Sequence, residues 1–129
     1  MITGRNKVVV VEDDASMRQA LQRVLDVAGF SCTAYESAEA FLTGGADEDV
    51  ACVVSDLNLP VMSGFDLLAE LQSRGSAPPF IVITAHDAPA LRAEAVCRGA
   101  GAYLAKPFAG TELIETVKVA ITRTKPAES

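Results

Sequence analysis

The sequence predicts one doubly wound α/β domain, a parallel sheet of five strands covered by five helices on its two faces. Three observations carry this expectation. Short β-branched runs alternate strictly with segments whose apolar residues recur at helical spacing. The runs are nearly continuous in apolar residues, as in strands buried on both faces of a parallel sheet. The chain is 129 residues long and 50% hydrophobic, enough for one core and too short for a second domain.

The elements follow in order. Lys7 to Val11 is a β-branched run that reads as the first strand. Ala15 to Ala28 carries Met17, Leu21, Val24 and Leu25 at helical spacing, and Gly29 ends that helix. Asp14 is placed to cap it, alone or beside Ser16, which also fits an S-x-x-Q box with Gln19. Ser31 to Tyr35 reads as the second strand, and "SAEAFLTGG" as a short helix opened by Ser37 and closed by glycine. Ala51 to Ser55 is the third strand, and Gly64 to Ser73 is a helix with Phe65, Leu67, Leu68 and Leu71 on one side. "RGSAPP" is a loop before the fourth strand, Phe80 to Thr84. An alanine-rich helix from about Ala88 to Arg98, the strand "GAYLA", and a helix from Thr111 to Thr122 complete the pattern, the last turning Leu113, Ile114, Val117 and Ile121 inward. Residues 1–123 form the domain, and "TKPAES", 124–129, reads as a tail or linker stub.

Right-handed crossovers leave few ways to arrange such a chain, and the flavodoxin-like order 2-1-3-4-5 is one of the two common ones. It sets the ends of strands 1 and 3 on either side of the topological switch point, where a ligand site is expected.

Composition narrows the function. The formal net charge of -6 and the lack of a basic stripe speak against direct nucleic-acid binding. No apolar run approaches the ~20 residues of a membrane-spanning helix, and "MITGRNK" lacks an apolar signal region, so a cytoplasmic location is expected. Cys32, Cys52 and Cys97 lack C-x-x-C spacing and lie in mostly apolar stretches, which reads as three reduced core cysteines.

At the strand ends the chain concentrates chemistry. Glu12 and Asp13 follow strand 1, Asp56 follows strand 3, Thr84 ends strand 4 and Lys106 follows strand 5. Two carboxylates ~4 Å apart repel by about 4 kcal/mol at an effective dielectric near 20, so such a cluster needs an offset. A hard divalent cation supplies one, and the absence of histidine and cysteine from the cluster favours Mg²⁺ or Mn²⁺. Mg²⁺ typically completes its shell with waters and a phosphate, so a phosphate is expected as well. Asp56, held on a strand end before the "LNLPVMSG" loop, suits a nucleophile, and the flexible ammonium of Lys106 suits a phosphoryl oxygen or Asp56 itself.

With these residues in order, the sequence resembles the receiver domain of bacterial two-component response regulators, from Lys7 to about Arg123. The motifs are "VVEDD", "DLNLPVMSG", "ITA" and "KPF", each at the end of an expected strand. The resemblance implies that Asp56 accepts a phosphoryl group from a sensor histidine kinase or phosphotransfer protein, in a Mg²⁺-dependent reaction catalysed by the domain itself rather than as an enzyme on other substrates. It implies that Asp13 binds the metal directly, Glu12 through a water, and Asn58 through its backbone carbonyl, with Asp56 completing the protein ligands. Thr84, with its small neighbour Ala85, and Lys106 would bind phosphoryl oxygens, Tyr103 would be an aromatic switch, and the bond before Pro107 would be cis. Asn58 and His86 would influence loss of the phosphoryl group by hydrolysis. Two departures stand out: Glu12 replaces the more usual aspartate, and Leu59 stands where methionine is most frequent before Pro60.

The resemblance also implies a switch whose partner face is formed by the fourth helix, fifth strand and fifth helix, a surface that homodimers use. "SAEAFL" and "TAHDAP" resemble receivers joined to LuxR-type helix-turn-helix output domains. Two other classes compete. A Mg²⁺-dependent aspartyl-phosphate phosphatase of the haloacid-dehalogenase type needs D-x-D, whereas Leu57 and Asn58 follow Asp56. A purely structural interaction domain would have no use for an intact Asp56 and Lys106.

Overall fold

In a computed structural model, the structure describes residues 6–45, 49–75 and 77–124. Five strands, β1 (Lys7–Val11), β2 (Ser31–Tyr35), β3 (Cys52–Asp56), β4 (Phe80–Thr84) and β5 (Ala102–Ala105), alternate with five helices. These are α1 (Ala15–Val27), α2 (Ala38–Gly44), α3 (Gly64–Ser73), α4 (Pro89–Cys97) and α5 (Gly110–Thr124). The sheet is parallel throughout with the order β2-β1-β3-β4-β5. This is the flavodoxin-like arrangement the alternation predicts.

Strand alternation divides the core in two. Val9, Val11, Val53, Phe80 and Val82 pack with Ala38 and Phe41 of α2, Leu67, Leu68 and Leu71 of α3, and Ala95 of α4. Val8, Val10, Cys52, Val54, Ile81 and Ile83 pack on the opposite face with Leu21 and Leu25 of α1 and Leu113, Val117 and Ala120 of α5. Burial on both faces explains why these strands read as continuous apolar runs.

The helix ends follow local chemistry. Asp14 is the N-cap of α1, its carboxylate accepting from the Met17 N–H at 2.8 Å, so Ser16 falls inside the helix and Asp14 alone caps it. Ser37 caps α2 in the same way through the Ala40 N–H. Ser63 and Asp66 form a reciprocal capping box at α3, which the S-x-x-D spacing announces. The fourth helix differs: its N-cap is Ala88, with no side-chain hydrogen bond, and Ala95 is its one buried residue.

Three expectations need correction. Asp56 is the last residue of β3 rather than the first beyond it, because it pairs in register with Ile83. Helix α5 spans Gly110–Thr124 rather than Thr111 to Thr122, and 125–129, the rest of the expected tail, lie outside the described residues. Only Cys52 is a core cysteine; Cys32 is half-buried and Cys97 is exposed at the last turn of α4, where the apolar stretch turns its thiol outward. Burial pushes the Cys52 thiol up to about 12, and burial together with the Asp26 charge does the same for Cys32.

Candidate functional site

The parallel register brings the carboxyl ends of four strands to one edge: Val11 pairs with Ser55, Asp56 with Ile83 and Thr84 with Ala105. At this edge Glu12, Asp13 and Asp56 each offer a carboxylate oxygen within 4.8 Å of the others. Glu12 is 1% exposed and Asp56 6%, while Asp13 is open to solvent. Among the described residues this is the single group of three or more such side chains placed to hold a metal ion. The donors are all hard oxygens, so the cluster could hold a hard divalent cation.

Lys106 crosses the cluster from the loop after β5. Its ammonium donates to Glu12 Oε1 at 2.9 Å and to Asp56 Oδ2 at 3.1 Å. One cation thus offsets the repulsion between two carboxylates that are almost out of solvent. Burial raises the Glu12 pKa, and the nearby Asp56 charge raises it further, against the lowering effect of the Lys106 bond. For Lys106, burial alone would lower the pKa, but the bonds to Glu12 and Asp56 outweigh it and the net direction is up. The Lys106-Pro107 peptide bond is cis.

Backbone groups complete the frame. Asp56 Oδ1 accepts the Asn58 N–H at 3.0 Å, and Glu12 Oε2 accepts the Asp14 N–H at 3.2 Å. The chain bends sharply after β1, which lets two successive acids face one spot despite strand alternation. Arg18, one turn into α1, holds that bend: its guanidinium donates to the carbonyls of Glu12 at 2.9 Å and Asp13 at 3.4 Å. Beyond β3 the loop folds back so closely that a Cβ on Gly64 would lie 2.6 Å from the Asp56 carbonyl oxygen. The Gly64 N–H closes this loop on the Leu57 carbonyl at 3.0 Å.

The remaining candidates lie around this pocket. Thr84 is fully buried, and its Oγ1 accepts the His86 N–H at 3.0 Å, while Ala85 and His86 are exposed. The Asn58 side-chain Nδ2 lies 3.2 Å from His86 Nδ1, so these two exposed residues meet at the rim. Tyr103 is not brought to the acids. It packs with Val82 on the α2–α3–α4 face, with the Arg92 guanidinium 4.5 Å from its ring centroid and Arg92 in turn 3.5 Å from Asp87. Burial raises the Tyr103 pKa. Sequence reasoning missed the buttress Arg18 and the Arg92 cover on Tyr103; neither spacing carries a motif.

The three carboxylates and one lysine thus stand at the topological switch point of a five-stranded parallel sheet, where this fold class places its ligand site. The chain belongs to the response regulator receiver domain family: residues 8–118 match the family model described as response regulator receiver domain. It is a signalling module of bacterial two-component systems.

It is 36% identical over 126 residues to the transcriptional regulatory protein FixJ of Bradyrhizobium diazoefficiens, a match covering 98% of this chain and 62% of FixJ. It is 40% identical over 111 residues to the response regulator protein FleR of Pseudomonas aeruginosa, covering 86% of this chain and 24% of FleR. Crystal structures of full-length FixJ from B. japonicum superpose with a TM-score of 0.88 at 36% identity, over 97% of this chain and 62% of that one. The FixJ-N structure gives 0.84 at 35% identity over 95% of this chain and 96% of that one. The chain therefore spans less than two thirds of the length of these curated relatives.

Proposed function

We propose that Asp56 is the phosphoacceptor of this receiver and that Mg²⁺, or Mn²⁺ in its place, assists the transfer. The observation that carries the reading is the shared ammonium: Lys106 bonds Asp56 and Glu12 together at 3.1 and 2.9 Å beside Asp13. In the transfer, an Asp56 carboxylate oxygen forms a bond to the phosphorus of a phosphohistidine as the P–N bond breaks, and the departing imidazole nitrogen keeps the electron pair. Because the attacking group is a carboxylate oxygen, no general base is required. Asp13, Glu12, Asp56 and the Asn58 carbonyl would hold the metal, which would supply charge neutralisation for the phosphoryl group.

Lys106 neutralises a phosphoryl oxygen once Asp56 is modified, and Thr84 turns its hydroxyl toward another. Thr84 and Tyr103 share one face of the sheet by strand alternation, so a moving Thr84 opens space toward Tyr103. Asn58 and His86, in contact at the rim, govern water's approach to the phosphorus during hydrolysis. Moving a population from 1:99 to 99:1 takes about 5.5 kcal/mol of differential interaction, and contacts made only to the phosphorylated site contribute to it.

The output face is α4–β5–α5. Val96 is 69% exposed and Val119 48%, and an apolar groove runs between them past Ala102 and Thr116, which supports docking of a second copy or an output domain there. A cytoplasmic location goes with a kinase donor.

Incubation with Mg²⁺ and acetyl phosphate followed by intact mass measurement tests the reading. One phosphoryl group is expected on the wild-type chain and none on Asp56→Asn. Unchanged labelling of Asp56→Asn would overturn it.

A further inference from the structure

We propose that Val61 is a docking residue for the protein that donates the phosphoryl group, contacting an apolar recess beside the donor's phosphohistidine. The inference rests on Asp56 as phosphoacceptor and deepens that reading toward donor choice.

Val61 has φ 67, and the Met62 N–H donates to the Pro60 carbonyl at 2.7 Å across it. That hydrogen bond with positive φ at its centre is the rarer and more strained form of γ-turn. For a β-branched residue, positive φ is a steric outlier. The other positive-φ positions among the described residues, Gly29, Gly75 and Gly99, are glycines. Here the chain holds valine instead, and the side chain is 95% exposed. No burial within the domain repays the strain, so the domain alone gives no reason for an apolar side chain at this turn.

Position supplies the reason. Gly64 lies against the Asp56 carbonyl, and Val61 is three Cα steps of 3.80 Å from Gly64, hence within about 11 Å. A macromolecular donor must bring its imidazole to Asp56 and covers about 600–800 Å² of this surface, a disc of about 14–16 Å radius. Through the Gly64 contact Val61 lies within about 15 Å of the Asp56 carbonyl, so a footprint of this radius centred on the acids reaches the turn that carries it. The presented group is an apolar one without charge, so the complementary surface is apolar. A small phosphodonor such as acetyl phosphate enters the pocket without touching the turn.

The experiment compares wild type, Val61→Gly and Val61→Asn, two replacements at ease at positive φ that retain the turn. Each is labelled with acetyl phosphate and by the autophosphorylated cytoplasmic domain of a sensor histidine kinase, chosen as the fastest donor to wild type in a panel. Acetyl phosphate labelling is expected to stay within twofold of wild type. Transfer from the kinase is expected to fall about tenfold, equivalent to about 1.4 kcal/mol. Unchanged kinase transfer in both variants overturns the docking role, and so does equal slowing with both donors, which would mark the turn as part of the pocket. Failure of wild type to be labelled by either donor overturns instead the phosphoacceptor reading on which the docking role rests.

Discussion

Lys106 donates to Glu12 at 2.9 Å across 94 positions of sequence, in a pocket where Glu12 is 1% exposed. The pairing links the end of the last strand in the chain to the end of the first and makes the lysine a structural counter-ion for the buried acids.

Its charge therefore sets alkaline stability in metal-free solution. The folded pKa of Lys106 is raised above the ordinary 10.5, so the folded state holds this proton more tightly than the unfolded one. The stabilisation is fully present below 10.5 and is lost as pH rises through the higher folded value. Urea midpoints measured in EDTA from neutral into the alkaline range are expected to fall there. Lys106→Met should remove that alkaline loss and cost about 3 kcal/mol at neutral pH, as for a buried pair deprived of one partner.

Asp13 differs from its two neighbours because it is exposed. Asp13→Asn should leave metal-free stability within about 0.5 kcal/mol of wild type. Mg²⁺ at a hundred times its dissociation constant should stabilise wild type by about 2.7 kcal/mol and the variant by far less. Thermal melts with and without Mg²⁺ measure both quantities, and equal metal-dependent shifts would remove Asp13 from the ligand set.

Arg18 is a positioning residue for the acids through their backbone. Arg18→Ala is expected to lower stability by about 1 kcal/mol, the scale of a lost charge-assisted hydrogen bond that is partly solvated. It should also weaken Mg²⁺ binding in calorimetric titration, although Arg18 contributes no ligand. Arg18→Lys should recover little, since a point ammonium cannot reproduce the fork of guanidinium donors.

Gly64 tests how tightly the loop is drawn onto Asp56. The added methyl of Gly64→Ala would meet the Asp56 carbonyl oxygen at 2.6 Å and the Leu57 Cα at 2.9 Å, both backbone atoms with little room to yield. A loss of about 1–3 kcal/mol is expected in denaturant unfolding, together with slower acetyl phosphate labelling as Asp56 is displaced.

The fold was legible in the sequence because both sheet faces are buried: the valines of β1 and the "FIVIT" run of β4 cannot read otherwise. The acids and Lys106 were legible because topology alone assembles strand ends at one edge. Contacts that depend on side-chain reach were not. Arg18 sits on an exposed-looking helix start, and nothing in its spacing says that it turns back to two carbonyls. Asn58 and His86 each attracted notice, yet their contact spans 28 positions and two loops. The turn at Val61 was hidden for the opposite reason, since valine is among the last residues expected at positive φ. Cys97 misled because an apolar neighbourhood in a helix says little about which way one particular side chain points.

The slight anchorage of α4 has a mechanical consequence. A helix that sinks only Ala95 fully, with Leu91 half-buried against the same core, withdraws little bulk when it slides, so displacement leaves a small void for the sheet beneath to refill. The neighbouring α3, with three leucines sunk in the core, has no such freedom. Amide protons of α4 should accordingly exchange with deuterium sooner than those of α3.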